Sequence, residues 1–138
     1  MSRVVEGVYI GSRDEASNKD WLDQHNITHI LNASKEVPNY FTEKYKYIKL
    51  GLSDHPKQSI KHVLTPSIYF VRDAIRNDGN ILIHCHAGVS RSATIVIYTL
   101  MHTMKWSFDK AYDFLKRKHP RANPNAGFVR QLHQIKSL

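Results

Sequence analysis

Cys85 and Arg91 stand at the two ends of a short loop-like segment, His84-Cys85-His86-Ala87-Gly88-Val89-Ser90-Arg91-Ser92. A thiol and a guanidinium at this spacing suit nucleophilic attack on an anion that the same segment holds. The residues on either side sharpen that reading. Asn80–His84 is a short, nearly all-apolar run of the kind found in a doubly covered central strand. Ser92–Met104 is apolar nearly all round, which predicts a buried helix. A loop between such a strand and such a helix aims successive backbone N–H groups at one point, and the helix adds its positive N-terminal dipole. Phosphate fits such a cradle, and a thiol in the same field is stabilised as a thiolate. Arg91 can turn back from the helix start and grip two phosphate oxygens, a geometry that lysine does not reproduce. A cysteine that served only the core would lie within an apolar stretch rather than before His, Gly and two Ser.

The segments that must position this loop alternate in period. Val4–Ile10, Thr28–Asn32 and Tyr47–Leu50 read as strands, the last before a turn at Gly51. Ala16–His25 has a modest helical pattern, whereas Ile60, Leu64, Ile68, Val71 and Ile75 mark one clear amphipathic helix. Ser107 caps a helix with the stripe Phe108, Ala111, Tyr112 and Leu115, ending at His119-Pro120. Asn123-Pro124 reads as the cap and first turn of a last helix carrying Phe128, Leu132 and Ile135. Strands first and helices last predict an α/β (α+β) fold, a sheet covered by helices.

Length and composition set the outer bounds. The chain has 138 residues and 41% apolar content, enough for a single domain over residues 1–138 with its own core. One cysteine excludes a disulfide scaffold and a cysteine zinc finger, and it suits a reducing compartment, the cytoplasm or the nucleus. No apolar run reaches the length of a membrane span, and Met1–Glu6 lacks a signal-peptide core. His25 and His29 have a metal-like spacing, but they fall across a helix end and a strand start, so structural or exposed roles are expected and no metal site is predicted. The net charge is +8, from 20 basic and 12 acidic residues. Lys105, Lys110, Lys116, Arg117, Lys118, Arg121, Arg130 and Lys136 face only Asp109 and Asp113 in the last quarter. That skew favours acidic partners, or simply a solvated face.

The segment from His84 to Ser92 is similar to the His-Cys-x5-Arg-Ser/Thr signature of the protein tyrosine phosphatase superfamily. Its Ala-Gly-Val-Ser-Arg-Ser run resembles the small, atypical dual-specificity phosphatases in particular. Val8-Tyr9-Ile10-Gly11-Ser12 resembles that family's Leu-Tyr-Leu-Gly-Ser strand, and Ile27–Asn32 its Ile-Thr-His-Ile-Leu-Asn strand. Pro124–Phe128 with Gln131-Leu132 resembles its last helix, so the likeness spans essentially the whole chain and implies a catalytic domain without an added regulatory one. It implies a central, mostly parallel mixed sheet of about four to five strands with helices on both faces. It also implies a cysteine-dependent hydrolase of phosphotyrosine and phosphoserine/threonine monoesters, monomeric and without a cofactor. By the same resemblance Cys85 is the nucleophile, and Arg91 with the backbone of His86, Ala87, Gly88, Val89 and Ser90 holds phosphate. Asp54, in the turn-rich Leu50–Lys57 segment, is the general acid. Ser92 assists departure of the thiol, His84 orients the loop, and Asn125 braces it. The plainer readings are a turn former for Asp54, helix caps for Ser92 and Asn125, and a core-edge histidine for His84.

Phosphoprotein is the favoured substrate, because positions 86–90 offer only His86 as a candidate cation, where lipid-phosphatase relatives commonly place lysine. An RNA 5′-phosphatase or a phosphoinositide phosphatase of the same fold is the alternative. Nucleic acid binding is disfavoured, since a basic patch without aromatic interleaving is weak support for it. A phosphate-binding scaffold that has lost turnover is disfavoured by intact Cys85, Arg91 and Asp54. A dithiol enzyme is disfavoured by the lack of a resolving cysteine.

Overall fold

The computed structural model describes residues 1–135, so Lys136 of the basic C-terminal quarter lies outside the described residues. Five strands form one sheet: β1 (Ser2–Val5), β2 (Val8–Gly11), β3 (Ile27–Ser34), β4 (Lys46–Leu52) and β5 (Asn80–His84). Their spatial order is β1-β2-β5-β3-β4, parallel throughout except for the antiparallel β1–β2 pair. The sheet is thus the mostly parallel mixed sheet expected, and its middle strand is the apolar run that leads into Cys85. Among the described residues six helices accompany it: α1 (Arg13–Ala16), α2 (Lys19–Gln24), α3 (Lys61–Arg76), α4 (Arg91–Met104), α5 (Phe108–Lys118) and α6 (Ala126–His133).

Alternation along β5 divides the core. Ile81 and Ile83 join the larger cluster formed with α3, α4, α5 and α6, whereas Leu82 joins Ala16, Leu22, Ile27 and Ile30 under α1 and α2. Ile27 and Ile30 differ in parity yet share a face, because the pairing of β3 with β5 shifts register between Ile27 and His29. Every residue of α4 from Arg91 to Met101 is buried, as its all-round apolar sequence requires. The helix lies against β2, β3 and β5, which fixes its N-terminus beside the end of the central strand.

Four local expectations need correction, the first of them the turn at Gly51, since β4 runs through Gly51, at φ +69°, to Leu52. The strand expected over Val4–Ile10 is two strands, since Glu6-Gly7 turns the chain back on itself with Gly7 at φ +81°. The helix expected over Ala16–His25 is broken at Ser17-Asn18, where the Asn18 side chain accepts from Trp21 N–H and starts α2 afresh. The last helix is capped by Asn125, two residues beyond the expected Asn123. It ends at His133, so Ile135 packs against the core from beyond it.

The last helix also touches the Asp54 loop. A Cβ built on Gly127 would lie 1.8 Å from the Pro56 carbonyl oxygen and 2.5 Å from its carbon, a clash with backbone that no rotamer change relieves. Gly127→Ala is therefore expected to lower stability by at least about 2 kcal/mol, the upper range of ordinary overpacking. A urea-unfolding midpoint equal to that of the wild type would show that α6 and the loop are not in contact.

Candidate active site

A cavity of about 410 Å³ opens over the turn between β5 and α4, lined by Glu36, Asp54, Cys85, His86, Ala87, Val89, Ser90 and Arg91. The residues singled out in the sequence for chemistry are thus gathered at the carboxyl end of the central strand, where open α/β sheets leave a crevice. Cys85 is 2% exposed and its Sγ lies 3.2 Å from Ser92 Oγ.

The loop's backbone is held by its carbonyls. Cys85 O accepts from His84 Nδ1 at 3.2 Å, and His86 O accepts from Arg13 N–H at 3.1 Å. Gly88 O accepts from His119 Nε2 at 2.8 Å, Val89 O from Asn123 N–H at 2.8 Å, and Ser90 O from both Thr94 N–H and Thr94 Oγ1. A trans peptide points its N–H opposite to its C=O. Carbonyls tied to these surrounding elements therefore turn the N–H groups of His86, Ala87, Val89, Ser90 and Arg91 the other way. Those amides meet no protein acceptor among the described residues. Amides left without acceptors at a helix start form the kind of nest that suits an anion.

Arg91 is 6% exposed, and a buried guanidinium requires partners. Its Nη1 and Nη2 each donate at 2.6 Å to one oxygen of Glu36, and Nη1 also donates to Leu52 O at 2.9 Å. That leaves Nε–H and one Nη2–H, a second two-pronged edge with no protein acceptor among the described residues. Arg91 hydrogen bonding holds the Glu36 carboxyl down to about 2, so the pair is ionic at neutral pH. Glu36 has no local sequence signal. It follows β3 by two residues, in a turn that Asn32 and Ser34 organise through buried hydrogen bonds.

Asp54 lies in the loop between β4 and α3, and its Oδ1 accepts from Asn125 Nδ2 at 3.0 Å. Asn125 makes three contacts at once. Its backbone N–H donates to Ser90 Oγ at 2.9 Å, its Oδ1 caps α6 by accepting from Phe128 N–H, and its Nδ2 reaches Asp54. The cap and the brace are thus one residue. Gln131, also on α6, accepts from Ile60 N–H and donates to Gln58 O, so a second side chain of the same helix grips that loop. His25 stacks on Trp21 at 4.2 Å, and His29 Nε2 pairs with Asp73 at 2.7 Å, so both have structural partners. Among the described residues no group of three metal-ligating side chains occurs.

A cysteine and an arginine bracketing a loop of unpaired amides between a parallel strand and a buried helix define a class of α/β domain suited to hold an oxyanion. The comparisons give it a family. Residues 8–137 match the model of the dual specificity phosphatase catalytic domain, and the chain belongs to that family. It is 39% identical over 135 residues to human dual specificity protein phosphatase 1, covering 97% of this chain and 36% of that one. It is 35% identical over 135 residues to mouse dual specificity protein phosphatase 15, covering 98% and 57%. The chain thus spans about a third to somewhat over half of the length of these curated relatives. The crystal structure of human DUSP28 superposes with a TM-score of 0.91 at 28% identity, covering 96% of this chain and 90% of that one.

His84 supplies a pH-dependent test of the site's packing. Burial, with a smaller contribution from Lys49, pushes its imidazole down from 6.5 to about 4. Nδ1 must carry the proton to donate to Cys85 O, and the buried Nε2 has no partner, so a second proton there would be an orphaned donor. The folded pKa lies below the unfolded one, so the unfolded chain binds the extra proton first. The stability contribution is complete above pH 6.5 and is lost as pH falls towards 4. Burial also lowers His102 and His119, which act in the same direction, so the diagnostic is a difference between variants. Melting temperatures from pH 8 to 4 are expected to fall less steeply in His84→Gln than in the wild type, by several degrees across the window. Parallel curves would place the acid sensitivity elsewhere.

Proposed function

We propose that this chain is a cysteine-dependent phosphatase of phosphotyrosine and phosphoserine/threonine in proteins, working through a phosphocysteine, with residues 1–138 acting as one catalytic unit. The observation that carries the reading is the pairing of Cys85 with unsatisfied amides and the free Arg91 edge in one small cavity. Phosphoryl transfer needs mainly positioning and charge stabilisation, and that combination offers both.

In the proposed reaction the Cys85 thiolate forms the S–P bond as the P–O ester bond breaks. The electron pair stays on the leaving oxygen, which takes the proton of Asp54. Asn125 holds Oδ1 of that carboxyl, leaving Oδ2 as the oxygen to carry the proton. Water then attacks phosphorus and gives a proton back to Asp54, the S–P bond breaks, and the pair returns to sulfur. Ser92 Oγ, 3.2 Å from Sγ, donates to the departing thiolate. The Nε–Nη2 edge of Arg91 and the amides of His86–Arg91 hold the equatorial oxygens throughout. His84 and Asn125 act through the loop and through Asp54. The cavity lining favours a single monoester over a polyanionic lipid head group or RNA: besides Arg91 it offers only His86 as a cation, and it carries the carboxyls of Glu36 and Asp54.

Hydrolysis of phosphotyrosine and phosphothreonine peptides is the first test, and full activity in Cys85→Ser would end the reading. Arg91→Lys should lose at least about tenfold in both phosphate affinity and turnover, because a point charge does not replace the planar fork or its tie to Glu36. Kinetics close to wild type would show that Arg91 does not contact the substrate.

Asp54→Asn should depend on the leaving group. Phosphoserine peptides, whose alkoxide leaves poorly, are expected to lose about 10²-fold or more in turnover, and an activated aryl phosphate far less. An equal loss for both would reduce Asp54 to a turn residue.

A further inference from the structure

His119 closes α5 as its C-terminal cap, and its ring is buried, 4% exposed. Both ring nitrogens are engaged with distant parts of the chain: Nε2 lies 2.8 Å from Gly88 O, and Nδ1 lies 2.7 Å from Ser2 Oγ in the first strand. A carbonyl only accepts, so Nε2 carries the hydrogen, and in the neutral ring Nδ1 accepts from the serine hydroxyl. Among the loop carbonyls with a partner, Gly88 is the one whose partner is a side chain from a remote segment. His86 and Val89 are tied to backbone N–H groups, Ser90 to the first turn of α4, and Cys85 to the adjacent histidine. The peptide between Gly88 and Val89 lies mid-loop, outside both β5 and α4. Gly88 packs against the backbone of Gly11, and the hydrogen bond that holds its carbonyl comes from one imidazole.

We infer that His119 is a positioning residue of the phosphate loop, which by holding the Gly88 carbonyl outward aims the Val89 N–H at the bound phosphoryl group, with Ser2 setting the ring's rotation. The inference rests on the proposed phosphate-binding role of the loop and assigns His119 no contact with the substrate. The planar peptide gives it direction: a carbonyl free to swing takes its amide away from the anion. Because that amide touches the oxyanion in the ground state and the transition state alike, both inorganic phosphate binding and kcat/KM should respond.

The test compares His119→Phe, which keeps a ring but removes the donor, with His119→Gln, whose amide N–H reaches a similar position, and with Ser2→Ala at the half-exposed strand. Inorganic phosphate is the probe, read as a competitive inhibitor of aryl phosphate hydrolysis and by the shift of the Val89 amide in ¹⁵N–¹H spectra. His119→Phe should weaken phosphate inhibition and kcat/KM by about tenfold each, less than the loss of a whole oxyanion-hole donor. His119→Gln should recover most of both, with the Val89 response to phosphate reduced in the first variant and restored in the second. Ser2→Ala should move both in the same direction by about two- to threefold, a fraction of the deletion effect, because the donor remains but its ring is less fixed. Wild-type values in His119→Phe, whatever its melting temperature, would overturn the inference, as would a His119→Gln protein no better than His119→Phe. Should His119→Phe not fold, an unchanged Val89 response in Ser2→Ala overturns it. A wild-type chain that neither binds inorganic phosphate nor hydrolyses the aryl phosphate would overturn the phosphatase reading as well, whereas wild-type turnover with indifferent variants overturns this inference alone.

Discussion

The site depends on one constraint: five of the six peptide groups from Cys85 to Arg91, all but Ala87–Gly88, present N–H inward, and each of those amides obliges its carbonyl to find a partner outside. Backbone carbonyls cannot be buried unpaired without a cost of about 1–3 kcal/mol each. The fold answers from several directions. Arg13 comes from α1, Asn123 from the segment before α6, His119 from the end of α5, Thr94 from α4, and His84 from the central strand itself. Helices that are far apart in sequence are therefore drawn to one loop. Without an anion the converging amide dipoles repel one another, so the outer hydrogen bonds hold a conformation that the loop's own electrostatics oppose.

The same argument extends to charge. A guanidinium at 6% exposure adds positive potential to a pocket already rich in inward N–H groups. Glu36 offsets it, and the two-pronged geometry does more than neutralise. With Nη1 fully engaged by Glu36 and Leu52, the side chain cannot rotate about its long axis, and the remaining edge keeps a fixed direction. Glu36 itself is half exposed, side chain 50%, while Arg91 is 7%, so the pair spans the boundary between core and cavity. An exposed carboxylate is desolvated less than a buried one, which makes the ion pair less costly than one enclosed on both sides.

How much of this was legible before folding differs from residue to residue. The β5–loop–α4 unit could be read because its signals are local: an apolar run, a polar loop with Gly, then an all-round apolar helix. The buried α4 and a helix-covered sheet followed from the same patterns, whereas the mostly parallel order of the strands was implied by the family likeness. The break at Ser17-Asn18 was not read because a capping asparagine inside a weak amphipathic pattern looks like an ordinary polar face. The hairpin at Glu6-Gly7 was hidden by apolar residues on both sides, which read as one strand. Glu36 and His119 were missed for another reason. Each matters through a contact with a residue 55 or 31 positions away, and no periodicity encodes such a pairing. Asp54 could be singled out only by family likeness, since its own environment in the sequence is that of any turn.

Asn125 shows why cap and brace should not be weighed as rivals. An N-cap side chain is fixed by its hydrogen bond to the third helical amide, here Phe128 N–H, and that bond uses only Oδ1. The Nδ2 group is then held in a known direction at no further conformational cost, and it points to Asp54. The backbone N–H of the same residue is fixed by Ser90 Oγ. Aspartate at this position could cap equally well, but it would present a second acceptor to Asp54 where Asn125 presents a donor. The helix start thus orients the Asp54 loop and the loop over residues 85–91 relative to each other through one side chain, and the approach of Gly127 to Pro56 brings the two close enough for it to reach.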